Sequence, residues 1–315
     1  MATTADAVRA EALTVVYRHG RGIEALDLEV PAGEVFGFLG PNGAGKTTTI
    51  RTLLDLLRPS GGRVSVLGLD SHVDSMEIRA RTGYVPGDLA LPGRLTGTEV
   101  LDWCSSLRPG RPPVRRDELV ERFSVQLDRP VRRLSRGNRQ KLGLVQAFQH
   151  DPELVILDEP TSGLDPLVQD EFQRLLRDQA DAGRSVFLSS HSLDEVQHVA
   201  DRVGIVREGR LVTLETVESL RQRGLRRVTA TMAVGQGTAA AGRLAPLAGV
   251  SELRTDGDVV TFAVGGSFAA VVEALAPLEV VDLLSRSADL DEVFLAMYRG
   301  ESANAAVDEL ESEQP

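Results

Sequence analysis

The chain has 315 residues, enough for about two domains, and 42% of them are hydrophobic, as in a globular protein with a substantial core. Its formal net charge of −11 disfavours nucleic-acid binding, and no apolar run approaches the roughly 18 residues that a membrane-spanning helix needs. The single cysteine, Cys104, excludes an internal disulfide, and residues 1–10 lack the apolar segment of a secretion signal. These features predict a cytosolic protein.

The first predicted elements lead into a glycine-rich loop. Strands are predicted at residues 8–17 and 25–30, then a short buried strand at 34–39, and apolar residues at helical spacing run from 49 to 57. Between that strand and that helix stands Gly, four residues, Gly, Lys and Thr, in which backbone N–H groups and a helix N-terminus surround an anion. This loop, the P-loop below, consists of Gly40, Pro41, Asn42, Gly43, Ala44, Gly45, Lys46, Thr47 and Thr48.

Two side chains of the P-loop carry specific chemistry. Lys46 can reach the β- and γ-phosphates of a nucleotide, and the Thr47 hydroxyl can bind Mg²⁺. The only other lysine is Lys141, and the remaining basic residues, apart from the histidines, are arginines. An arginine at position 46 would be too wide and planar to replace a compact ammonium group. The sequence therefore predicts a site for a nucleotide phosphate chain with Mg²⁺.

The middle of the chain alternates helices with buried strands. Residues 95–150 are helical in character, with a capping box at Thr96 and Glu99 and a second N-cap at Ser135. Apolar strands follow at 154–157 and 185–190, and a helix is predicted at 193–200. Strands that alternate with helices predict a parallel sheet in an α/β core. The first strand of this part ends in Asp158 and Glu159, and the second ends in His191.

The C-terminal third has a different rhythm. After a basic segment at 221–227, strands and helices follow in the order βαββαβ, which matches the ferredoxin-like pattern. An amphipathic helix is predicted at 290–298, and residues 300–315 form an acidic tail that we predict to be disordered. The predicted domains are therefore residues 1–222, with a helical subdomain at about 90–150, residues 223–299, a small α+β domain, and the tail.

The motifs stand in an order that resembles one family. In chain order the motifs are a tyrosine before the P-loop, the P-loop, Ser-Arg-Gly-Asn opening a helix, Asp-Glu ending a strand, Ser-Gly-Leu-Asp, and a histidine ending the next strand. Over residues 8–215 this set resembles the ATP-binding subunit of ABC transporters. The C-terminal part, including Leu-Asp-Glu-Val-Phe-Leu at 290–295, is similar to the drug- and antibiotic-export branch. The resemblance implies an ABC cassette with ATP and Mg²⁺ as ligands.

The resemblance assigns a role to each motif residue. Tyr17 matches the aromatic residue that stacks on adenine, and Asp158 matches the carboxylate that holds Mg²⁺ directly or through water. Glu159 matches the general base that polarises the attacking water, and His191 matches the histidine that contacts the γ-phosphate. Each also has a plainer interpretation, such as solvated surface charge, a packed histidine or a surface aromatic.

Three further residues imply a dimer. Ser135 and Gly137 match the signature loop that binds the γ-phosphate held by the P-loop of a second cassette, and Asp165 matches the residue that couples the two sites. Two chains would then enclose two nucleotides in a two-fold arrangement. Arg136 and Asn138 depart from the usual signature, Leu-Ser-Gly-Gly-Gln, but leave the serine and the second glycine in place.

A second departure lies in the loop Gly83–Asp88. The family usually has a glutamine where Gly87 stands, and a glycine cannot make that contact with the metal and the attacking water. Two interpretations remain open. Asp88 could supply a metal-side carboxylate, or the loop could serve only as a contact for the membrane partner.

Together these features favour an ATPase subunit of an ABC exporter of drugs, antibiotics or lipid-like compounds. It would act as a homodimer on a separately encoded permease, at the cytoplasmic face of the cell membrane, with no nucleic acid as partner. The main alternative is a soluble ABC ATPase that acts on ribosomes or DNA. Two further alternatives remain. One is a P-loop kinase or other NTPase, which would lack the signature loop. The other is a binding module without catalysis, against which Glu159 argues.

Overall fold

The computed structural model describes residues 6–17, 22–223, 226–265 and 267–286. The chain divides into two compact units, one ending at Leu214 and the other beginning at Glu215. The domain limits expected from the sequence, after residues 222 and 299, remain predictions. The helix expected at 290–298 and the tail 300–315 lie outside the described residues.

The first part of the chain contains two sheets and the helices that connect their strands. In chain order its elements are β1 (Asp6–Val15), β2 (Ile23–Pro31), β3 (Val35–Leu39), α1 (Lys46–Leu53), β4 (Gly61–Val66), β5 (Leu69–Asp70), α2 (Ser75–Arg81), β6 (Thr82–Val85), α3 (Gly97–Ser106), α4 (Arg116–Arg122), α5 (Arg136–Phe148), β7 (Leu154–Asp158), α6 (Pro166–Asp181), β8 (Ser185–Ser190), α7 (Leu193–Val196), β9 (Arg202–Arg207) and β10 (Arg210–Thr216). A short 3₁₀ helix, Val131–Arg133, precedes α5.

The larger sheet brings the chemical motifs to one edge. Its strand order is β10-β9-β3-β8-β7-β6, and the neighbours from β9 to β6 pair in parallel, as the alternation of strands and helices predicted. The residues of β3, β7 and β8 are all buried, which explains the nearly continuous apolar sequences of β3 and β7 and the apolar centre of β8. Because parallel strands share their carboxyl edge, the P-loop after β3 lies beside the ends of β8 and β7.

The smaller sheet packs against the same core. Its strands run antiparallel in the order β2-β1-β4-β5. One hydrophobic cluster joins side chains of both sheets, and at its centre the rings of Phe36, Phe38 and Phe187 lie 5.4 to 6.5 Å apart. Burying one such phenylalanine stabilises a fold by about 2–3 kcal/mol. This core fixes β3 and β8, and with them the loops that follow.

The region 90–150 is helical, as predicted. The capping box of α3 is present, with the Thr96 N–H donating to Glu99 Oε2 at 2.7 Å and the Glu99 N–H donating to Thr96 Oγ1 at 3.3 Å. Ser135 caps α5 by accepting a hydrogen bond from the Asn138 N–H at 3.2 Å. Both N-terminal signals were therefore read correctly from the sequence.

Three local predictions were wrong. Helix α1 begins at Lys46 and ends at Leu53 rather than Leu57, because Asp55 has a φ of +53° and leaves the helical region. Helix α7 spans four residues and does not continue to Ala200. Residues 83–85 of the predicted loop Gly83–Asp88 belong instead to the edge strand β6 (Thr82–Val85), which pairs with β7.

The second unit has its own sheet and core. Its elements are α8 (Val217–Arg223), β11 (Arg226–Met232), α9 (Gly237–Leu244), β12 (Val250–Asp256), β13 (Val259–Val264), α10 (Ala269–Leu275) and β14 (Val280–Arg286). The strands run antiparallel in the order β12-β13-β11-β14, so the predicted βαββαβ order is confirmed from β11 to β14. Alternate strand residues such as Val228 and Phe262 pack with Leu244 and Leu275 of the two helices between the strands.

In neither unit does the described part of the chain contain a helix with both the length and the apolarity that a membrane crossing requires.

Candidate nucleotide site

The P-loop wraps from the end of β3 into the first turn of α1. An ideal Cβ on Gly40 would approach the Val206 carbonyl oxygen to 2.4 Å, so this position has no room for a side chain. Gly45 precedes α1 with a φ of +114°, a backbone conformation that glycine adopts without strain. The first turn of an α-helix leaves backbone N–H groups without intrahelical partners, and such groups at the N-terminus of α1 can bind an anion.

Lys46 is folded back onto the loop that carries it. Its side chain is 5% exposed, and Nζ donates to the carbonyl oxygens of Gly40 at 2.6 Å and Pro41 at 3.3 Å. Nζ also forms an ion pair with Glu159 Oε1 at 3.1 Å, and apart from this pair that oxygen has no hydrogen-bond partner. The ammonium group thus lies between the P-loop and the acidic end of β7.

The end of β7 meets α1 through a short hydrogen bond. Thr47 Oγ1 donates to Asp158 Oδ2 at 2.7 Å, and Asp158 is 1% exposed. The other oxygen, Asp158 Oδ1, accepts a hydrogen bond from Ser189 Oγ at 2.6 Å. The carboxylate is therefore held on both sides by hydroxyl groups.

Glu159 is joined to the residue that ends β8. His191 Nδ1 lies 2.5 Å from Glu159 Oε2, and the histidine side chain is 58% exposed. The backbone of Glu159 has a φ of +51°, which is uncommon for a residue with a side chain and ends the extended backbone of β7. The structure thus brings together Lys46, Thr47, Asp158, Glu159 and His191, as the sequence order of the motifs suggested.

The donors at this edge suit a magnesium ion that shares its ligands with phosphate. Within the described residues, no group of three or more His, Cys, Asp or Glu side chains is arranged to hold a metal ion. Mg²⁺ is commonly bound by one or two carboxylates together with substrate phosphates and water. The Thr47 hydroxyl and Asp158 carboxylate oxygens, 2.7 Å apart, fit that pattern.

The remaining predicted site residues lie in three other places. Tyr17 is 39% exposed, and its hydroxyl lies 3.2 Å from Thr48 Oγ1, which puts the ring beside the P-loop. Asp165 caps α6 by accepting a hydrogen bond from the Val168 N–H at 3.1 Å. Ser135 and Gly137 lie at the N-terminus of α5, and no described hydrogen bond joins them to the P-loop of the same chain.

The signature loop contacts the loop between β7 and α6 instead. Arg136, the residue that departs from the usual signature, donates from Nη2 to Ser162 Oγ at 2.6 Å. An ideal Cβ on Gly137 would lie 3.1 Å from the carbonyl oxygen of Gly163. Arg136 and Gly137 therefore lie beside the segment 162–163, which ends two residues before Asp165.

Gly87 lies against the acidic end of β7. An ideal Cβ at this position would come within 3.3 Å of Asp158 Oδ2, the oxygen that accepts from Thr47. Asp88 is exposed, and no described hydrogen bond connects it to Asp158 or Thr47. The structure therefore gives no support to Asp88 as a metal ligand and leaves the loop as a surface segment.

Two polar residues at the end of β8 escaped the sequence analysis. Ser189 contacts Asp158, and Ser190 Oγ donates to Glu195 Oε2 at 2.6 Å. Glu195 also accepts from Thr161 Oγ1 at 2.9 Å. The available signal was the pair of hydroxyls that interrupts an otherwise apolar strand immediately before His191.

Comparisons with known proteins identify the family of the chain. An ABC transporter family model matches residues 23–162. The chain is 37% identical over 290 residues to the daunorubicin resistance ATP-binding protein of Streptomyces coeruleorubidus, covering 89% of this chain and 92% of the relative. It is 36% identical over 214 residues to the bacitracin transport ATP-binding protein of Bacillus licheniformis, covering 67% of this chain and 70% of the relative. The chain belongs to the ABC transporter family.

Solved structures match the cassette. The ATP-binding subunit of an ABC transporter superposes with a TM-score of 0.64 at 28% identity, over 69% of this chain and 92% of that one. A Clostridium perfringens protein that is part of an ABC transporter complex gives 0.59 at 25% identity, over 68% and 90%. A dimeric ATP-binding cassette in a post-hydrolysis state, bound to ADP and Pi, gives 0.61 at 20% identity over 67% and 98%, which shows a likeness of fold alone. The chain is thus an ATP-binding subunit with the ATPase cassette of an ABC transporter.

Proposed function

We propose that this chain powers the export of drug-like, antibiotic or lipid-like compounds by binding and hydrolysing ATP. It would act as a homodimer on a separate membrane permease, at the cytoplasmic face of the membrane. The matched relatives named for daunorubicin resistance and bacitracin transport support an export role. The solved subunit of a transporter complex supports a permease partner. These relatives do not favour the alternative of a soluble ATPase that acts on ribosomes or DNA.

In this proposal the P-loop and its neighbours bind Mg²⁺-ATP. Tyr17 stacks on adenine beside the P-loop, and Lys46 exchanges its carbonyl contacts for the β- and γ-phosphates. Thr47 and Asp158 hold the Mg²⁺ ion, directly or through water. A Mg²⁺ ion held by these two residues would supply positive charge next to the phosphate oxygens. The 2.7 Å contact between the two side chains supports their shared role.

Glu159 acts as the general base in the proposed mechanism. Its two carboxylate oxygens contact Lys46 at 3.1 Å and His191 at 2.5 Å. While Lys46 is paired with it, Glu159 Oε1 is occupied by that contact. When the phosphates draw Lys46 away, Glu159 Oε1 becomes available to accept a proton from the attacking water. His191 orients the carboxylate and contacts the γ-phosphate.

The second half of each site comes from the other copy of the chain. Ser135 and Gly137 at the N-terminus of α5 present a hydroxyl and backbone N–H groups to the γ-phosphate bound by the partner's P-loop. Asp165 follows on the neighbouring loop and couples the two sites. This arrangement is isologous and closes on itself, as expected of a two-fold dimer. Because ATP would bind the closed dimer better, it shifts the population toward that state.

The observation that carries the proposal is the convergence of Lys46, Thr47, Asp158, Glu159 and His191 at the carboxyl edge of one sheet. The P-loop lies more than a hundred residues before Asp158 and Glu159, and His191 lies 32 residues after Glu159, yet the three motifs meet there with hydrogen-bonding geometry. Chance charge on a surface would not place an ammonium that is 5% exposed between a glycine loop and a carboxylate.

The variant Glu159→Gln tests the proposal. The amide keeps the shape of the side chain but cannot accept the proton, so we expect ATP binding to persist and hydrolysis to fall by about 10² to 10⁴. The ATP-bound dimer should accumulate, as measured by size exclusion with light scattering. Glu121→Gln, an exposed change of the same chemistry on α4, is the matched control. A Glu159→Gln variant that stays monomeric in ATP and still turns over would exclude this assignment.

A further inference from the structure

The hydroxyl of Ser189 contacts both acidic residues at the end of β7. We propose that Ser189 is a positioning residue that orients the Asp158 carboxylate and the Glu159 backbone for metal binding and water activation. The inference rests on the proposed nucleotide site and adds to it a side chain that never touches the nucleotide.

Burial and distance set this hydroxyl apart from other serines. Ser189 is 0% exposed, and its Oγ donates to Asp158 Oδ1 at 2.6 Å. The same Oγ accepts a hydrogen bond from the Glu159 N–H at 3.3 Å, and the Ser189 carbonyl oxygen accepts from that N–H at 3.2 Å. Hydroxyl-to-carboxylate bonds of this length belong to the stronger, charge-assisted class.

The direction of each hydrogen bond follows from the chemistry of the groups. An ionised carboxylate only accepts, so the single hydroxyl proton of Ser189 must point to Asp158. The oxygen lone pairs of Ser189 are then left for the Glu159 N–H, which only donates. One hydroxyl thus fixes the rotation of one carboxylate and the backbone of the next residue at the same time.

The register of the sheet creates this contact. Asp158 and Ser189 are directly paired in the parallel strands β7 and β8, so their side chains lie on the same face. Ser190 points to the opposite face and contacts Glu195. Glu159 leaves the strand with a φ of +51°, a turn that the hydrogen bonds from its N–H to Ser189 help to hold.

The consequence concerns the second oxygen of Asp158. With Oδ1 held by Ser189, Oδ2 faces Thr47 and is presented to the metal in one orientation. Without the hydroxyl, the buried carboxylate lacks a partner on one side and can rotate away from Thr47. We therefore expect loss of Ser189 to weaken metal binding and to slow hydrolysis, while nucleotide binding in the absence of metal is kept.

Ser189→Ala is compared with Ser185→Ala to test this inference. Ser185 lies four residues earlier on the same face of β8, is 2% exposed, and accepts a hydrogen bond from the Gly33 N–H at 2.9 Å. The two variants remove the same atom from the same strand at opposite ends of it. Both are measured for thermal unfolding without nucleotide, for ATP affinity in EDTA by calorimetry, and for Mn²⁺ binding to the ATP complex by electron paramagnetic resonance.

Only Ser189→Ala should lose metal affinity. We expect its Mn²⁺ dissociation constant, and the Mg²⁺ concentration for half-maximal ATPase, to rise about tenfold, the size of one hydrogen bond to a charged group. ATP affinity in EDTA should match that of Ser185→Ala. Ser189→Cys keeps a side chain of similar size with a weaker hydrogen-bond donor, so its Mn²⁺ dissociation constant should lie between those of wild type and Ser189→Ala. This variant provides the measurement if Ser189→Ala does not fold.

Two negative results have different meanings. If Ser189→Ala binds Mn²⁺ and responds to Mg²⁺ as wild type and Ser185→Ala do, the positioning role is wrong and the proposed site still stands. If wild type itself shows no metal-dependent ATPase, the proposed nucleotide site fails first.

Discussion

Gly87 occupies the place where the family usually has a glutamine, and its lack of a side chain has a physical reason here. A Cβ at this position would press on Asp158 Oδ2 at 3.3 Å, closer than side-chain carbon atoms normally come. The oxygen affected is the one that accepts from Thr47. The glycine thus leaves the carboxylate free to take its observed orientation.

We expect Gly87→Ala to raise the Mg²⁺ concentration for half-maximal ATPase roughly threefold, since a displacement of a few tenths of an ångström at a reacting group has effects of this order. Gly93→Ala is the control, because a Cβ there would meet Arg132 at 3.5 Å, an ordinary contact. A Mg²⁺ dependence unchanged in both variants would show that Asp158 tolerates the added methyl group.

At the scale of elements, Glu195 joins the loop that carries Glu159, the proposed base, to the loop that carries His191. Thr161, two residues after Glu159, and Ser190, one residue before His191, both donate to its carboxylate. A second connection between these loops is the contact of His191 Nδ1 with Glu159 Oε2 at 2.5 Å. The loops after β7 and β8 are therefore joined through Glu195 and through the His191–Glu159 contact, in addition to the bonds of Ser189 to Asp158 and Glu159.

The variants Thr161→Val and Ser190→Ala should each lower kcat about tenfold without changing ATP affinity, because each frees one loop from Glu195. The double variant should lose little more than either single one, since both act through the same carboxylate. Steady-state kinetics of the four proteins decides this, with Thr98→Val, an exposed threonine of α3, as a control. Effects that simply add would mean that the two hydroxyls act independently.

The sequence was informative about these elements where the signal is local. The P-loop, the strands that end in Asp158 and His191, and the caps at Thr96 and Ser135 follow from a few neighbouring residues each. The contact of Ser189 with Asp158 could not be predicted, because it depends on the register between two strands separated by α6. The end of α1 at Leu53 could not be predicted either, because Leu54, Leu56 and Leu57 continue the apolar pattern after the backbone has left the helix.

For the molecule as a whole, stability should depend on pH through His150, which follows α5. Burial, with nearby Arg108 and Arg111, lowers the pKa of His150 to about 4 from its ordinary 6.5. Between pH 6.5 and 4 the unfolded chain gains a proton that the folded chain does not. The free energy of unfolding should therefore fall by about 1.4 kcal/mol per pH unit in this range, and by about 3 kcal/mol in all.

Replacing His150 with asparagine should remove this slope, and urea unfolding at several pH values from 7.5 to 4.5 measures it. Glu34 acts in the opposite direction, because burial raises its pKa to about 7 and its protonation favours the folded state below that pH. The comparison is therefore made in a Glu34→Gln background, with His72→Asn as the control at an exposed histidine. An unchanged slope in the His150 variant would assign the acid sensitivity to other groups.

The two compact units lead to a proposal about domain independence. The hydrophobic core of the second unit consists of residues from Val228 onward, and the core of the first is complete without them. We expect a chain ending at residue 222 to keep a cooperative thermal transition and ATP affinity within about twofold of the full chain. Calorimetry and ATP titration test this, and an insoluble or non-cooperative product would place the limit of the cassette elsewhere.

The left-handed backbone conformation of Glu159 lowers the stability of the fold, whereas the proposed chemistry requires its side chain. A residue with a Cβ in this conformation destabilises the fold by about 1 kcal/mol relative to glycine. Selection for stability alone would favour glycine at position 159, whereas the proposed role as general base requires the carboxylate. We therefore expect replacement of Glu159 by glycine to stabilise the fold and to abolish ATP hydrolysis.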